Sequence, residues 1–289
     1  MDSEYRILLV HDTRKLVAHR ERILGLFTIS FGIPLDPAIW TWAYCNNPCG
    51  PAYVYLAYSG EELVAHYAMI PLYYIGAGIR VRVALSMTTM VHPSHRKSGL
   101  FRELAEMSYR QGAADGVSAV VGFPNKASEP GFRKRLSWEI DQQLGIVALA
   151  VESSTTAAIL AVNSISEADF SAAFRAPAGA VFLDLSDPII LSWRVSKPGV
   201  QYRLLQTDEA IFIVKPFGIV LDVVYHSRLD TRDLEMLGAY ASTNGFSTLS
   251  VFRAVDEKSS QATPYRFGFR YFLAGMPPFE PQLILSDVF

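Results

Sequence analysis

The sequence predicts a mixed α/β fold of the α+β type: a mostly antiparallel sheet flanked by helices, followed by a second half of the same kind. Three observations predict it. Apolar segments with strand composition alternate along the chain with segments whose apolar residues recur at helical spacing. Half of the 289 residues are apolar, which is enough for a large buried core. A pattern of Trp, Pro, Gly and Tyr occurs twice, roughly 150 residues apart.

The first half is predicted from its apolar periodicity and its turn residues. Strands rich in β-branched and aromatic residues are expected at residues 5–10, 53–58, 63–75, 80–91 and 117–123, with another beginning near Trp138. Helices are expected at residues 14–27, Pro37–Tyr44, 100–115 and 129–136. A proline suits the first position of the second helix, and glycine turns separate the three consecutive strands.

The second half repeats this order after a change of composition. Residues 152–180 are dominated by Ser, Thr and Ala and are predicted to be a connector with one helix. Trp42 and Tyr53 of the first half then have counterparts in Trp193 and Tyr202. Strands follow, one of them at residues 218–225, and a helix is expected at Thr231–Thr243, ended by an Asn-Gly pair. The predicted domains are therefore residues 1–151 and 181–289, the second a degenerate copy.

Composition excludes several classes of protein. Lys and Arg number 26 and Asp and Glu 28, and this net charge of −2 does not fit a general nucleic-acid binder. No apolar run approaches the roughly 18 residues of a membrane helix, and the acidic start is unlike a signal peptide. We therefore expect a cytoplasmic protein without a membrane partner, and the oligomeric state stays open. Cys45 and Cys49 are expected to be buried thiols, because no second ligand pair accompanies them, and no metal is expected.

The most informative stretch is residues 91–104, VHPSHRKSGLFREL. A strand ends, a basic loop follows, and a helix begins directly after Gly99. Unpaired N–H groups at a helix start attract phosphate, and Arg96 and Lys97 add two positive charges. Glycine would let a phosphate come close to the backbone. The alternative is a solvated basic turn capped by Ser98.

This stretch resembles the acyl-coenzyme A loop of the GNAT N-acyltransferase superfamily, whose signature is [QR]-x-x-G-x-[GA]. Arg96 and Gly99 match the signature, and Phe101 departs from its final small residue. A second similarity is the run VGFPN at residues 121–125, followed by GFRK and Trp138. The resemblance covers residues 5–150. A narrower resemblance, carried by WAY at residues 42–44, Asn47-Pro48, Gly50 and GFPN at residues 122–125, is to two-domain bacterial enzymes that N-acylate amino sugars for surface polysaccharides.

The resemblance implies where the acyl-CoA co-substrate, acetyl-CoA or another acyl-CoA, would bind. In this superfamily the fourth strand bulges and parts from the fifth, and the pantetheine arm lies in the gap. Main-chain groups of Met90 and Val91 would contact that arm, and Asn125 and Ser128 would lie beside the cofactor. Asn125 could equally be a turn residue, and Ser128 a helix cap. The pyrophosphate would be bound by the loop residues Arg96, Lys97, Ser98, Gly99, Leu100 and Phe101.

The resemblance also implies direct attack of a neutral amine on the thioester. Many relatives carry a tyrosine as the general acid, and here that position holds Phe132. His66, Thr88 and Asn125 are the candidates for the catalytic centre. The general base is left open: His66 is placed within reach of the gap, and a buried core histidine is its other interpretation.

The predicted function is N-acylation of a small-molecule amine, best matched to a nucleotide-linked amino sugar. The alternatives are another small amine, such as an antibiotic, polyamine or amino acid, or a non-catalytic acyl-CoA-binding protein. In the second half, residues 225–233 hold acidic residues and no glycine. A carboxylate there would repel a pyrophosphate, so one acyl-CoA site per chain is predicted.

Overall fold

The computed structural model describes residues 5–151, 162–255 and 262–286. Its helices are α1 Thr13–Val17, α2 Arg20–Phe31, α3 Pro37–Tyr44, α4 Leu100–Ala114, α5 Glu129–Arg135, α6 Glu167–Ala173, α7 Pro188–Val195 and α8 Thr231–Thr243. Its strands are β1 Arg6–Val10, β2 Tyr53–Ser59, β3 Glu62–Gly76, β4 Ile79–Val91, β5 Ala119–Gly122, β6 Glu139–Ile140, β7 Leu144–Ala150, β8 Asn163–Ser164, β9 Phe182–Leu183, β10 Arg203–Gln206, β11 Ile211–Phe217, β12 Val220–His226, β13 Thr248–Ala254, β14 Ala262–Pro264 and β15 Gly268–Tyr271.

The strands form two sheets of the same design. The first sheet has the order β1-β2-β3-β4-β5-β15-β6, with β9 added beside β3, and the second has the order β8-β10-β11-β12-β13-β7-β14. Each sheet is antiparallel apart from one parallel pair, β4–β5 in the first and β12–β13 in the second. A helix, α4 or α8, makes the crossover that a parallel pair requires. The fold class predicted from the sequence, two related halves with mostly antiparallel sheets and flanking helices, is confirmed.

The two sheets exchange one strand each. β7, which precedes residue 151, pairs with β13 of the second sheet, and β15, near the end of the chain, pairs with β5 of the first. The predicted division into residues 1–151 and 181–289 therefore does not match the division of the strands between the two sheets. As a domain boundary it stays a prediction. Residues 152–161 of the predicted connector lie outside the described residues, and α6 is the helix expected in its remainder.

Three local features differ from the prediction or refine it. The helix expected at residues 14–27 is two helices, because the chain turns at His19, whose Nδ1 is 2.8 Å from the hydroxyl oxygen of Tyr58. The strand expected near Trp138 is the pair β6 and β7. Helices α3 and α7 begin alike, each capped by an aspartate, Asp36 or Asp187, with proline in the first turn.

The halves meet at Trp42 and Trp193, the two residues of the predicted repeat. The indole Nε1 of each donates to the backbone carbonyl of the other, at 2.7 and 3.0 Å, and the rings stack with centroids 5.0 Å apart. Both side chains lie in a core that continues from the first sheet into the second half. The other two cores lie under α4 and under α8. In the described part of the chain, no helix has the length and apolar character to cross a membrane.

Candidate active site

A cleft opens where β4 and β5 part. The two strands pair only over three residues, ending at Leu85 and Val121. Beyond that point β4 bulges: its register against β3 shifts at His66, and Thr88 adopts a left-handed conformation with φ of +46°. A bulge adds a residue and bends the strand away from its neighbour. The bulged and parted fourth strand that the resemblance implied is therefore present.

The cleft has a volume of about 150 Å³ and a mixed apolar and hydroxyl lining. No ionisable side chain lines it within the described residues. Its lining residues are Phe31, Ser86, Met87, Thr88, Thr89, Gly122, Phe123, Pro124, Asn125, Ser128, Phe132 and Trp138.

The basic loop leads from the end of β4 into α4. Gly99 is the first, capping residue of α4, with φ of +86°, and a Cβ built on it would meet open space. The backbone N–H groups of Gly99 and Phe101 donate to no acceptor in the part of the chain that the structure describes. Arg96 and Lys97 are exposed and form no ion pair with any described residue. The loop therefore combines unpaired donors with two unpaired cations, the chemistry that an anion requires.

The remaining loop residues have structural contacts. The hydroxyl of Ser98 donates to the carbonyl of His95 at 2.6 Å and lies 3.5 Å from the amide nitrogen of Leu100, so Ser98 precedes the cap rather than forming it. The side chain of Leu100 is buried under the first sheet, and that of Phe101 packs edge to face on Phe132. Only their main chains are available to a ligand in the loop.

Thr88 and His66 lie together at the bulge. Nδ1 of His66 is 2.8 Å from the carbonyl oxygen of Thr88, and since a carbonyl only accepts, Nδ1 carries the hydrogen. The Thr88 hydroxyl is hydrogen bonded to the hydroxyl of Tyr44. Thr88 lines the cleft, whereas His66 lies behind it on β3 and is almost completely buried.

Burial lowers the pKa of His66 to about 4. The ring is therefore neutral at pH 7, and its Nε2 is a buried acceptor without a partner among the described residues. General bases work best with a pKa near the working pH. An imidazole with a pKa near 4 is therefore a weak base at pH 7. The role of His66 as the general base stays a prediction.

Asn125 and Ser128 lie at the opposite wall, at the turn between β5 and α5. Oδ1 of Asn125 accepts from the amides of Ala127 and Ser128, at 3.0 and 2.9 Å, so the side-chain oxygen forms the turn. Its Nδ2 is the group left for a ligand. Ser128 is at the cap position of α5, but its hydroxyl donates to the Asn125 carbonyl at 3.3 Å and does not cap the helix. Both residues line the cleft.

On the β4 side, Met90 and Val91 follow the bulge and pair with β3 only, so their main chains border the gap from β5. Phe132, at the position where relatives carry a tyrosine, lines the cleft and packs on Trp138. It has no proton to give.

The sequence did not reveal a chain of hydroxyl groups behind Ser86. The Ser86 hydroxyl oxygen is 2.8 Å from that of Tyr67, which is 2.8 Å from that of Tyr109. The Tyr109 oxygen accepts from Nε1 of Trp138 at 3.0 Å. The four residues lie on β4, β3, α4 and just before β6, and no local pattern relates them. The only signal in the sequence was a serine on the strand before the basic loop.

The equivalent cleft of the second half is filled by the protein itself. β12 and β13 also part, after Val223, and β12 also bulges there. The side-chain amide of Gln282 accepts from the N–H of His226 and donates to its carbonyl, both at 2.8 Å. At the start of α8, Asp230 and Asp233 cap the helix reciprocally in place of a glycine turn.

Arg228 pairs with Asp233 at 2.9 Å and also binds Glu209. The positive charge that the second half carries at its helix start is thus neutralised by its own carboxylates.

The bulged β4, the parted β5 and the glycine-started helix together define a GNAT-like fold. Residues 13–140 match the family model described as an acetyltransferase (GNAT) domain. No curated protein matches the sequence.

Solved structures with the same fold are similar over almost the whole chain. A GCN5-related N-acetyltransferase from Kribbella flavida has a TM-score of 0.67 and 16% identity, and the match covers 93% of this chain and 71% of that one. One from Anabaena variabilis has a TM-score of 0.62 and 14% identity, covering 92% and 73%. Eis1 from Mycobacterium abscessus has a TM-score of 0.61 and 13% identity, also covering 92% and 73%.

Proposed function

We propose that this protein is an N-acyltransferase that moves an acyl group from acyl-CoA to the amine of a small molecule. One observation carries the proposal: the loop that joins the strand opening the cleft to α4 holds the N–H groups of Gly99 and Phe101 and the cations Arg96 and Lys97, none of which has a partner among the described residues. A helix start of this kind binds the pyrophosphate, and the cleft receives the pantetheine arm. The acyltransferase family match supports the same chemistry.

Each wall of the cleft has a part in this proposal. Main-chain groups of Met90 and Val91 hold the arm, and the amide nitrogen of Asn125 donates to the thioester end from the opposite wall. The amine attacks the thioester directly, so no acyl-enzyme forms. Thr88 lies at the edge of the same cleft, with its hydroxyl hydrogen bonded to Tyr44 and its carbonyl accepting from His66. One acyl-CoA binds per chain, because Gln282 and Asp233 take the corresponding positions in the second half.

The acceptor is proposed to be a nucleotide-linked amino sugar, on the resemblance of residues 42–50 and 122–125 to such enzymes. The uncharged lining of the cleft favours a second candidate, a neutral apolar amine. A nucleotide diphosphate would have to lie outside this lining, because none of the described residues in it offers a positive charge.

A panel of amines assayed for thiol release tests the reaction and separates these acceptors. Amino sugar nucleotides, aminoglycosides, polyamines, amino acids and apolar amines would each be offered with acetyl-CoA. Steady release with one class identifies the acceptor. Saturable binding of acyl-CoA without release in any class would instead identify a protein that binds acyl-CoA and does not turn it over.

Replacing Gly99 tests the position of the pyrophosphate. Gly99→Glu places a carboxylate at the helix start, where it repels a diphosphate, so acyl-CoA binding is expected to fall by at least 100-fold, about 2.7 kcal/mol. Gly99→Ala is the matched control, since it imposes the same backbone strain at positive φ without the charge. Isothermal titration with acyl-CoA measures both. Equal affinities in the two variants would place the site elsewhere.

A further inference from the structure

We infer that Ser86 is a catalytic residue of the proposed acyl transfer, and that its hydroxyl donates a hydrogen bond to the departing sulfur of the thioester. The inference rests on the proposed function. Ser86 lines the cleft at its base, one residue beyond the last residue of β4 that pairs with β5. Behind Ser86 lies a chain of hydrogen bonds that extends into the core under α4 and links Tyr67, Tyr109 and Trp138.

The direction of every hydrogen bond in this chain follows from Trp138. An indole nitrogen is only a donor, so Trp138 donates to the oxygen of Tyr109. Tyr109 is 2% exposed, and its hydroxyl hydrogen has one other partner within the described residues, the oxygen of Tyr67. If Tyr67 donated to Tyr109 instead, a buried hydroxyl hydrogen of Tyr109 would have no acceptor, at a cost of about 1–3 kcal/mol.

Tyr67 is fully buried and therefore passes its own hydrogen to the oxygen of Ser86. Ser86 thus accepts from Tyr67, and its hydroxyl hydrogen, which has no acceptor among the described residues, can point into the cleft. Hydrogen bonds that point the same way strengthen one another, which makes the last donor the most polarised.

This chain of hydrogen bonds lets Ser86 donate a hydrogen bond to the sulfur, but it cannot deliver a proton. Burial raises the pKa of both Tyr67 and Tyr109 above the ordinary value of a tyrosine, so both stay protonated. A proton moved out through Ser86 would have to be replaced from Trp138, whose indole does not release one. In the reaction the new C–N bond forms and the C–S bond breaks, and the electron pair of that bond stays on sulfur. The attacking nitrogen loses one proton to solvent as the amide forms, and the thiolate, which leaves hydrogen bonded to Ser86, takes its proton from solvent.

The hydrogen bond from Ser86 would take over a role for which the site has no tyrosine. Phe132 lines the same cleft where relatives carry a tyrosine acid, and it has no hydroxyl. A thiolate is a good leaving group and needs charge stabilisation more than protonation, which one polarised donor supplies. Tyr67 and Tyr109 are positioning residues, because they act through Ser86.

Steady-state kinetics of Ser86→Ala, with an amine found active in the panel above, test the inference in turnover. We expect kcat to fall roughly 10- to 100-fold with little change in the KM for acyl-CoA. Ser86→Thr keeps the hydroxyl and should retain most of kcat, and Tyr67→Phe should lose a smaller factor, roughly threefold. Thermal unfolding of each variant checks that it is folded. An active wild type and an equally active Ser86→Ala variant would overturn the role of Ser86 and leave the proposed function standing.

A binding measurement tests the same contact without turnover. Free CoA and desulfo-CoA, which lacks the thiol, are titrated into the protein at pH 7 and at pH 9, between which the thiolate fraction of CoA rises about 100-fold. If Ser86 stabilises the thiolate, CoA gains affinity relative to desulfo-CoA at pH 9 in the wild type, and Ser86→Ala loses that gain. The same gain in both proteins, or none in the wild type, contradicts the inference. A wild type that binds neither compound contradicts the proposed function itself.

Discussion

At the scale of single residues, His66 has one ring nitrogen bonded and the other buried without a partner. Nδ1 donates to the Thr88 carbonyl, which fixes the bulge that opens the cleft, while Nε2 has no acceptor or donor beside it among the described residues. The sequence left open whether His66 was a base or a core residue. The structure shows the ring buried and bonded to the main chain of Thr88, and the role as a base stays a prediction. The sequence could not reveal the bond to Thr88, because a strand position predicts burial but not which distant groups a side chain contacts.

His66 is expected to make the protein less stable in mild acid. Its pKa is about 4 in the folded protein and 6.5 in the unfolded chain, so below pH 6.5 only the unfolded state takes up the proton. The free energy of unfolding therefore falls between pH 6.5 and 4, by up to ~3 kcal/mol from this group.

Urea unfolding of wild type and His66→Asn at several pH values measures this effect. Asparagine can still donate to the Thr88 carbonyl but does not titrate, so the variant should lose less stability over that pH range. The difference between the two proteins isolates His66 from His226, whose pKa burial also lowers to about 4. Parallel pH curves for the two proteins would show that His66 titrates normally.

At the scale of elements, the parts with local signals were predictable and the parts held by distant pairing were not. Helices α3 and α8 have the bounds predicted from the sequence, because an aspartate, a proline or an Asn-Gly pair marks their ends. The basic loop and the start of α4 were predictable for the same reason. β9 and β15 have two and four residues, and their places beside β3 and β5 depend on pairing across more than 100 residues.

Gln282 is the clearest element-scale contact that the sequence could not reveal. It pairs with the main chain of His226 much as another strand would, and it closes the cleft of the second half. Gln282→Ala is expected to reduce the free energy of unfolding by about 2 kcal/mol, because it leaves the N–H and carbonyl of His226 without these partners.

Acyl-CoA affinity should not change in Gln282→Ala, since the first-half loop is intact. Gln282→Glu is the companion variant, because an ionised glutamate side chain cannot donate to the His226 carbonyl. Its loss in free energy of unfolding relative to the wild type should therefore be larger at pH 7 than at pH 4.5. Urea unfolding and acyl-CoA titration check both variants. A rise to two bound acyl-CoA per chain in Gln282→Ala would mean that Gln282 alone blocks a second site.

At the scale of the whole molecule, the exchange of β7 and β15 makes each sheet depend on both halves. The repeat in the sequence predicted the two halves, since Trp42 and Trp193 stand in equivalent helices. It could not predict the exchange, because a strand has the same sequence pattern in either sheet. Without β15, β5 and β6 would have no strand between them, and without β7 the edge of β13 would be open.

A chain divided between Val151 and Val162 is therefore expected to reassemble, while neither piece alone folds cooperatively. Mixing the two pieces should restore both exchanged strands and the reciprocal Trp42–Trp193 hydrogen bonds, and with them a single unfolding transition and acyl-CoA binding. Circular dichroism and size-exclusion chromatography of each piece and of the mixture measure this. Trp42→Ala in the first piece removes one stacked ring and is expected to weaken the reassembly. If residues 1–151 alone unfold cooperatively and bind acyl-CoA, the first sheet does not need β15, and the boundary at residue 151 is that of an independent domain.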